Sequence, residues 1–366
     1  SQRLCALFPT ERSGIDGVFQ EMLSVHREMY AGLDGVSGLP GPPKTVEAML
    51  AFPRTNPTMY RNLTIRYKDL VEGKVRDPAL RNQLMAMCGY LTDDPATLGV
   101  LQVAPLYGYW IDGGLYPRGG SQVFSTELVR ALTDFGGEIG LRTNVENILV
   151  EGGRVRGVAL SNGTRVHAPV VVSDADLKRT FRELIRGERF DPRWERELSA
   201  LRTGPSAAMV LLGIDRVPDV APIVLCDGFS VAVPSLVDSS AAPRGCASVA
   251  VTMLLSNERA KALSVPGPDA KRAKKSMCDE LIDRAEAVIP GLRERIVWRE
   301  DAGPATFERY LRSSHGSIYG FERGAVDRGP RSCLEGLLLC GAGVYPGPGV
   351  EAAVLSGITA ANAAAS

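Results

Sequence analysis

The sequence predicts a mixed α/β (α+β) protein, and three features carry that reading. Apolar residues recur at helical spacing through the first third, and short alternating segments parted by glycine turns fill the middle. The chain then closes with "LLLCGAGVYPGPGVEAAVLSGITAANAAAS" (337–366), an apolar run, a glycine-rich turn and an alanine-rich helix.

In the first third, Ile15, Val18, Phe19, Met22 and Val25 fall on one face of a helix predicted over Gly14 to Tyr30, with Ser13 as its cap. The "GLPGPP" punctuation from Gly38 to Pro43 ends that unit, and helical periodicity resumes through Met49, from Tyr60 to Leu70 and from Pro78 to Met87. A further helix is expected from about Ser121 to Phe135. Strands are expected at Glu138 to Arg142, Val145 to Glu151 and Arg154 to Leu160, the last two parted by "EGG" and followed by "SNG", with a buried strand at Pro169 to Ser173. The apolar runs Ala207 to Ile214 and Ala247 to Leu255 belong to a second, larger sheet. Met277, Leu281, Ile282, Ala285 and Val288 line one side of a helix between Pro268 and Pro290, ahead of a strand at Ile296 to Trp298.

At 366 residues and 45% apolar content, the chain can bury one or two substantial cores. Forty-two basic residues balance 42 acidic ones, which removes any global field for nucleic acid, and "KRAKK" (Lys271 to Lys275) reads as a solvated helix face. Cys5, Cys88, Cys226, Cys246, Cys278, Cys333 and Cys340 are odd in number, scattered and never arranged as C-x-x-C, the usage of reduced thiols rather than a disulfide framework or zinc site. His26, His167 and His315 are too far apart for a local metal-ligand pair, and no metal is expected. No apolar stretch reaches bilayer length, so a cytoplasmic or peripheral membrane location is expected. The chain opens on Ser1 rather than methionine, which leaves processing, cutting or omission of an earlier segment open.

Gly347, Gly349 and Ala352 satisfy G-x-G-x-x-A between an apolar run and a helix. Glycine lets backbone approach a ligand, and a helix opening at Val350 directs free N–H groups and the positive end of its dipole outward. A dinucleotide fingerprint also needs a second strand and an acidic residue about 20 positions on. Only 14 residues follow Ala352 and none is acidic, so this turn does not open a complete nucleotide-binding unit.

The stretch "GGLYPRGGSQVFSTELVRALTDFGGEIGLRTNVENILVEGGRVRGVALSNG", then "APVVVSDAD", and the terminal "LLLCGAGVYPGPGVEAAVLSGITAANA" closely resemble the phytoene desaturase, carotenoid isomerase and retinol saturase group of FAD-dependent oxidoreductases, relatives of the amine oxidases. "LFPTERSGIDGVFQEM" and "PATFERYLRSSHGSIYG" extend the likeness over most of the chain. The resemblance implies a discontinuous Rossmann-like FAD domain, present in part, beside a substrate domain of mixed sheet and helices. It divides the chain into a mostly helical cap segment (1–106), the middle of the FAD domain (107–194), a substrate sheet and helix (195–312) and a closing FAD segment (313–366). The turn comes last because the terminal strand and helix return to complete a flavin site. Members of the group open with G-x-G-x-x-G, which nothing before "LFPTERSG" supplies, so the expectation is a longer protein with a further segment of on the order of 100 residues.

The resemblance also implies cofactor roles. Gly341 and Ala342 would face the ribityl and pyrophosphate, Gly349, Val350 and Glu351 would bring backbone to the flavin ring, Val145 would hold the adenine by its backbone, and Ser173, Asp174 and Ala175 would line the cofactor. Each can also be read as a turn or strand-end residue whose role is conformational. Tyr345 stands as an aromatic wall or a packing tyrosine, and Arg118 as a phosphate partner or a surface charge. No catalytic residue is identified, since no Ser/His/Asp or Cys/His arrangement is visible and flavin chemistry demands none. The implied function is FAD-dependent oxidation, reduction or isomerisation at a C–C bond of an apolar polyene or lipid. Two alternatives stand beside it: a non-catalytic or split-chain component, and an amine oxidase of the same superfamily. The partners expected are an apolar small-molecule substrate, an N-terminal fragment or partner chain completing the FAD site, and a peripheral membrane contact, with no nucleic acid.

Overall fold

A computed structural model describes residues 2–33, 43, 45–92, 94–111, 113–187, 190–322 and 329–366. The chain forms two compact units, one of Ser1–Gly114, Phe321–Arg331 and Leu338–Ser366, the other of Leu115–Gly320 and Ser332–Leu337.

The first unit is helical. Its central helix, Arg12–Tyr30, buries Ile15, Val18, Met22 and Val25 as their spacing predicts. Ser13 does not cap it, because a 3₁₀ turn at Pro9–Glu11 runs straight into the helix and leaves Ser13 inside. The carboxylate of Glu11 instead accepts from the N–H groups of Arg76 (3.1 Å) and Asp77 (2.9 Å), tying the helix start to a distant loop. Residues 38–42 of the proline and glycine punctuation lie outside the described residues. The helix expected over Tyr60 to Leu70 is two helices, Pro57–Arg61 and Tyr67–Lys74. The chain between them spends its backbone groups on a neighbouring loop, with Tyr67 N–H bonded to Leu98 O and Val100 N–H to Ile65 O, each at 2.9 Å. Pro78–Met85 follows, capped by the Asp77 carboxylate on Ala79 and Leu80 N–H. At the centre the buried hydroxyls of Tyr67 and Tyr107 satisfy each other at 2.6 Å, and desolvation raises both phenol pKa values, keeping them protonated.

Among the described residues the second unit holds nine strands. The first three, β1 (Val145–Glu151), β2 (Arg154–Leu160) and β3 (Arg165–His167), form an antiparallel meander in which Ile148 faces Val158. Gly157 lies opposite His167, where an added Cβ would sit 2.0 Å from Val166 O, so only glycine fits. The next, β4 (Val171–Ser173), receives the Gly336 carbonyl on Val171 N–H. A five-stranded antiparallel sheet runs β6 (Ile223–Cys226), β7 (Phe229–Ala232), β8 (Ala247–Leu255), β5 (Ser206–Ile214), β9 (Ile296–Ala302). Helix Pro268–Ala285 covers it, burying Met277, Cys278, Leu281, Ile282 and Ala285 against Val210, Leu212, Val249 and Val251. Full burial of a Met, Leu, Ile or Val side chain stabilises by about 1.5–3 kcal/mol, so this layer pair contributes to the unit's stability at several positions at once.

Two expectations fail here. Residues 138–142 form no strand: Gly136 (φ 81°) and Arg142 (φ 56°) turn left-handed at its two ends, and no described strand lies beside it. The strand expected at Pro169 to Ser173 is shorter and only partly buried: Ser173 is buried, but Val172 is 46% exposed.

Candidate functional site

Five of the residues expected at a cofactor come together in one strand, turn and helix. The strand Leu337–Leu339 is buried throughout, and the chain leaves it at Gly341, whose φ of 84° suits glycine. Gly341 N–H donates to Ser356 Oγ at 2.8 Å, and that hydroxyl donates to Ala353 O at 2.7 Å, so a serine in the second turn of the following helix holds the strand end. Val344 is buried, and a cis Tyr345–Pro346 bond leads to Gly347 (φ 116°) and Gly349 (φ 109°). Gly349 is the N-cap of the helix Val350–Ala365, and open space lies where its Cβ would be. The first intrahelical bond runs from Ala353 N–H to Gly349 O, which leaves the N–H groups of Val350, Glu351 and Ala352 facing outward with the positive end of a 16-residue helix behind them. Gly341, Ala342, Gly349, Val350 and Glu351 thus share one local frame. The absent Cβ at Gly349 and the free amides give a backbone surface that fits a flat, electron-accepting group.

Ser173, Asp174 and Ala175 lie in the other unit. Ser173 is buried, and its hydroxyl pairs with Thr180 Oγ1 at 3.0 Å while accepting from Ala175 N–H at 3.3 Å, so it shapes the bend after β4. Asp174 has an open surface, yet the protein mass around it desolvates the carboxyl and raises its pKa from the ordinary carboxylate value. Val145 opens β1 opposite Leu160.

Sequence reasoning missed a polar cluster that starts next to these residues. Asp176 caps Lys178 and Arg179 N–H and also accepts from Ser314 N–H at 2.8 Å. His315 holds a left-handed φ of 58°, with Nδ1 at 3.2 Å from the buried Thr203 hydroxyl. Asn257 Nδ2 donates to both oxygens of Thr203, which ties the Thr203 side chain in place beside the ring. Desolvation, then Lys261, lowers the His315 pKa. Arg179 pairs with Glu308 at 2.6 Å. These partners are separated by as many as 138 positions, and no local spacing signals them.

Arg118 is exposed, in a cavity of about 430 Å³ that it shares with Tyr116, Asp238 and Ser240. Hydrogen bonds from the Ser240 hydroxyl and Gly119 N–H hold the Asp238 carboxyl below its ordinary pKa, and a carboxylate so placed competes with a phosphate for the arginine. Among the described residues no cluster of His, Cys, Asp and Glu could hold a metal ion, and no helix is long and apolar enough to cross a membrane.

No protein-family model matches the chain. It is 31% identical over 273 residues to the chloroplastic prolycopene isomerase of Daucus carota, a match covering 68% of this chain and 44% of that protein. It is 30% identical over 278 residues to the neurosporene-forming phytoene desaturase of Rhodobacter capsulatus, covering 66% and 52%. The chain thus spans about half the length of the curated relatives it matches. Among solved structures, putrescine oxidase bound to putrescine superposes with a TM-score of 0.63 at 16% identity, over 98% of this chain and 76% of that one, a likeness of fold. These matches make the chain a relative of the prolycopene isomerases and phytoene desaturases, on a fold that putrescine oxidase also has.

Proposed function

We propose that this chain works as a flavoenzyme that binds FAD and desaturates, saturates or isomerises C–C bonds of an apolar polyene or related lipid. The observation that carries the reading is the strand, glycine turn and helix from Leu337 to Ala365 in a chain related to a prolycopene isomerase and a phytoene desaturase. When bound, FAD supplies a ring that accepts or returns hydride or electrons. The chain's own contribution is to hold and polarise. Gly349, lacking a Cβ, would admit a flat ring close to the backbone, and the amides of Val350 and Glu351 at the helix start would favour negative charge on it. Gly341 and Ala342 would present backbone to the ribityl and pyrophosphate, while for Val145, Ser173, Asp174 and Ala175, which belong to the other unit, a cofactor role is supported by the family likeness alone.

The test is turnover by FAD-reconstituted protein, followed by chromatography of a polyene such as phytoene or prolycopene, with putrescine and peroxide detection as the competing assay. The reading expects a changed polyene and no peroxide from the amine. Amine turnover alone overturns it. Coverage of only about half of each curated relative favours a second reading, in which these 366 residues act as one piece of a larger assembly.

A further inference from the structure

The turn between β2 and β3 carries a chemically reactive pair at its tip. The chain has eight asparagines, and only Asn162 is followed by a glycine, Gly163. The fold demands that glycine: Gly163 has a φ of 86°, with open space where a Cβ would stand. Before a glycine, an asparagine carboxamide is open to the next backbone nitrogen, because no side chain hinders the approach. The local hydrogen bonds both favour that approach and gate it. Asn162 Oδ1 accepts from Thr164 N–H at 3.0 Å, which draws the carboxamide across Gly163 and polarises its carbonyl. Gly163 N–H donates to Leu160 O at 2.9 Å, and Leu160 N–H to Thr164 O at 2.8 Å, so the nitrogen is released only when the turn opens. Opening costs little here. The edge strand β3 has three residues and pairs with β2 alone, and Ser161 to His167 are all exposed.

We propose that Asn162 is a self-modification site, at which the folded chain deamidates through a cyclic imide with Gly163. The Gly163 nitrogen gives its proton to solvent base and bonds to Asn162 Cγ. The bond from Cγ to Nδ2 breaks, and the leaving nitrogen takes a proton back and departs as ammonia. Water then adds to one of the two imide carbonyls and opens the ring. Opening at Cγ returns the ordinary backbone with an aspartate side chain. Opening at the backbone carbonyl leaves isoaspartate, whose main chain is one carbon longer. The imide has no N–H to give Leu160, and the longer isoaspartate backbone takes Thr164 out of register with Leu160, so β3 loses the turn that closes it. Ala168 N–H, bonded to Arg156 O at 3.0 Å, limits the loosening to β3. The inference does not depend on the flavoenzyme reading.

The test incubates the folded 366-residue chain, and the same chain unfolded in denaturant, in mildly alkaline buffer. Peptide mass spectrometry follows the amide-to-acid exchange at each asparagine, and enzymatic isoaspartyl methylation separates the two products. The expected result in the folded chain is loss of the amide at Asn162 ahead of the other seven asparagines, with both aspartate and isoaspartate formed. Amide hydrogen exchange at residues 165–167 is expected to quicken in the isoaspartate form. Gly163→Ala, whose methyl group hinders ring closure, is expected to slow the conversion in the folded and the unfolded chain alike. An Asn162 that stays intact in the folded chain while the unfolded chain converts it overturns the proposal, because the turn then protects the site. So does aspartate without isoaspartate, which marks direct hydrolysis, and so does another asparagine reacting first or a Gly163→Ala chain converting as fast as the unaltered one.

Discussion

Ser356 Oγ receives the N–H of Gly341 at 2.8 Å across the terminal turn, and in the same stroke donates to Ala353 O within its own helix. One buried hydroxyl therefore fixes the strand end relative to the helix start, the two backbone segments expected at the flavin. Ser356→Ala leaves the Gly341 N–H without its partner in a buried setting, at a cost of about 1–3 kcal/mol. Thermal unfolding checks this, and an unchanged melting temperature would show that the bond is not maintained.

Gly316 has a φ of 64°, and an added Cβ would lie 2.1 Å from Pro304 O. Gly316→Ala therefore suffers both conformational strain and a clash with backbone, whereas Gly152→Ala, at φ 59° with open space around it, suffers strain alone. The control is expected to lose about 1–2 kcal/mol. The Gly316 variant loses more, because the helix Pro304–Leu311 or the His315 turn has to shift. Denaturant titration of the two side by side reads the difference.

Arg179 and Glu308 meet at 2.6 Å with side chains 22% and 27% exposed, between the surface and buried regimes. Their coupling in a cycle of Arg179→Met, Glu308→Gln and the double variant is expected near 1 kcal/mol, above the usual exposed pair. A coupling of zero would mean that solvent screens the pair fully.

The lowered pKa of His315 makes stability depend on pH. The folded state keeps the ring neutral while the unfolded chain binds a proton near its ordinary pKa of about 6.5. Unfolding therefore takes up a proton as pH falls below that value, and the stability present above it is lost progressively toward the lower folded pKa. Lys261 and Lys178 add to the depression, while Glu308 and Asp176 oppose it. His315→Asn is expected to flatten the stability profile just below pH 6.5. A profile equally steep in the variant would assign the slope to other groups.

Much of the architecture was legible because its signals are local. The buried face of Arg12–Tyr30, the long partners β5 and β8, and the helix over them are each long enough for their period to show. The β6–β7 hairpin escaped notice because two four-residue strands carry too little alternation. Residues 138–142 misled for the opposite reason: their alternation is genuine, but a strand exists only beside another strand. The same division holds at the site. Gly341, Gly349 and Val350 announce themselves within a dozen positions, whereas Asp176, Thr203, Asn257 and His315 meet only through tertiary folding.

The central claim is that these residues form part of a flavin site, and the most direct measurement is the visible absorption spectrum of the chain after incubation with FAD, with excess cofactor removed. The account predicts that flavin bands remain with the protein and weaken in Gly349→Val, where a side chain enters the open space before the helix. Flavin bands as strong in Gly349→Val as in the unaltered chain would contradict it.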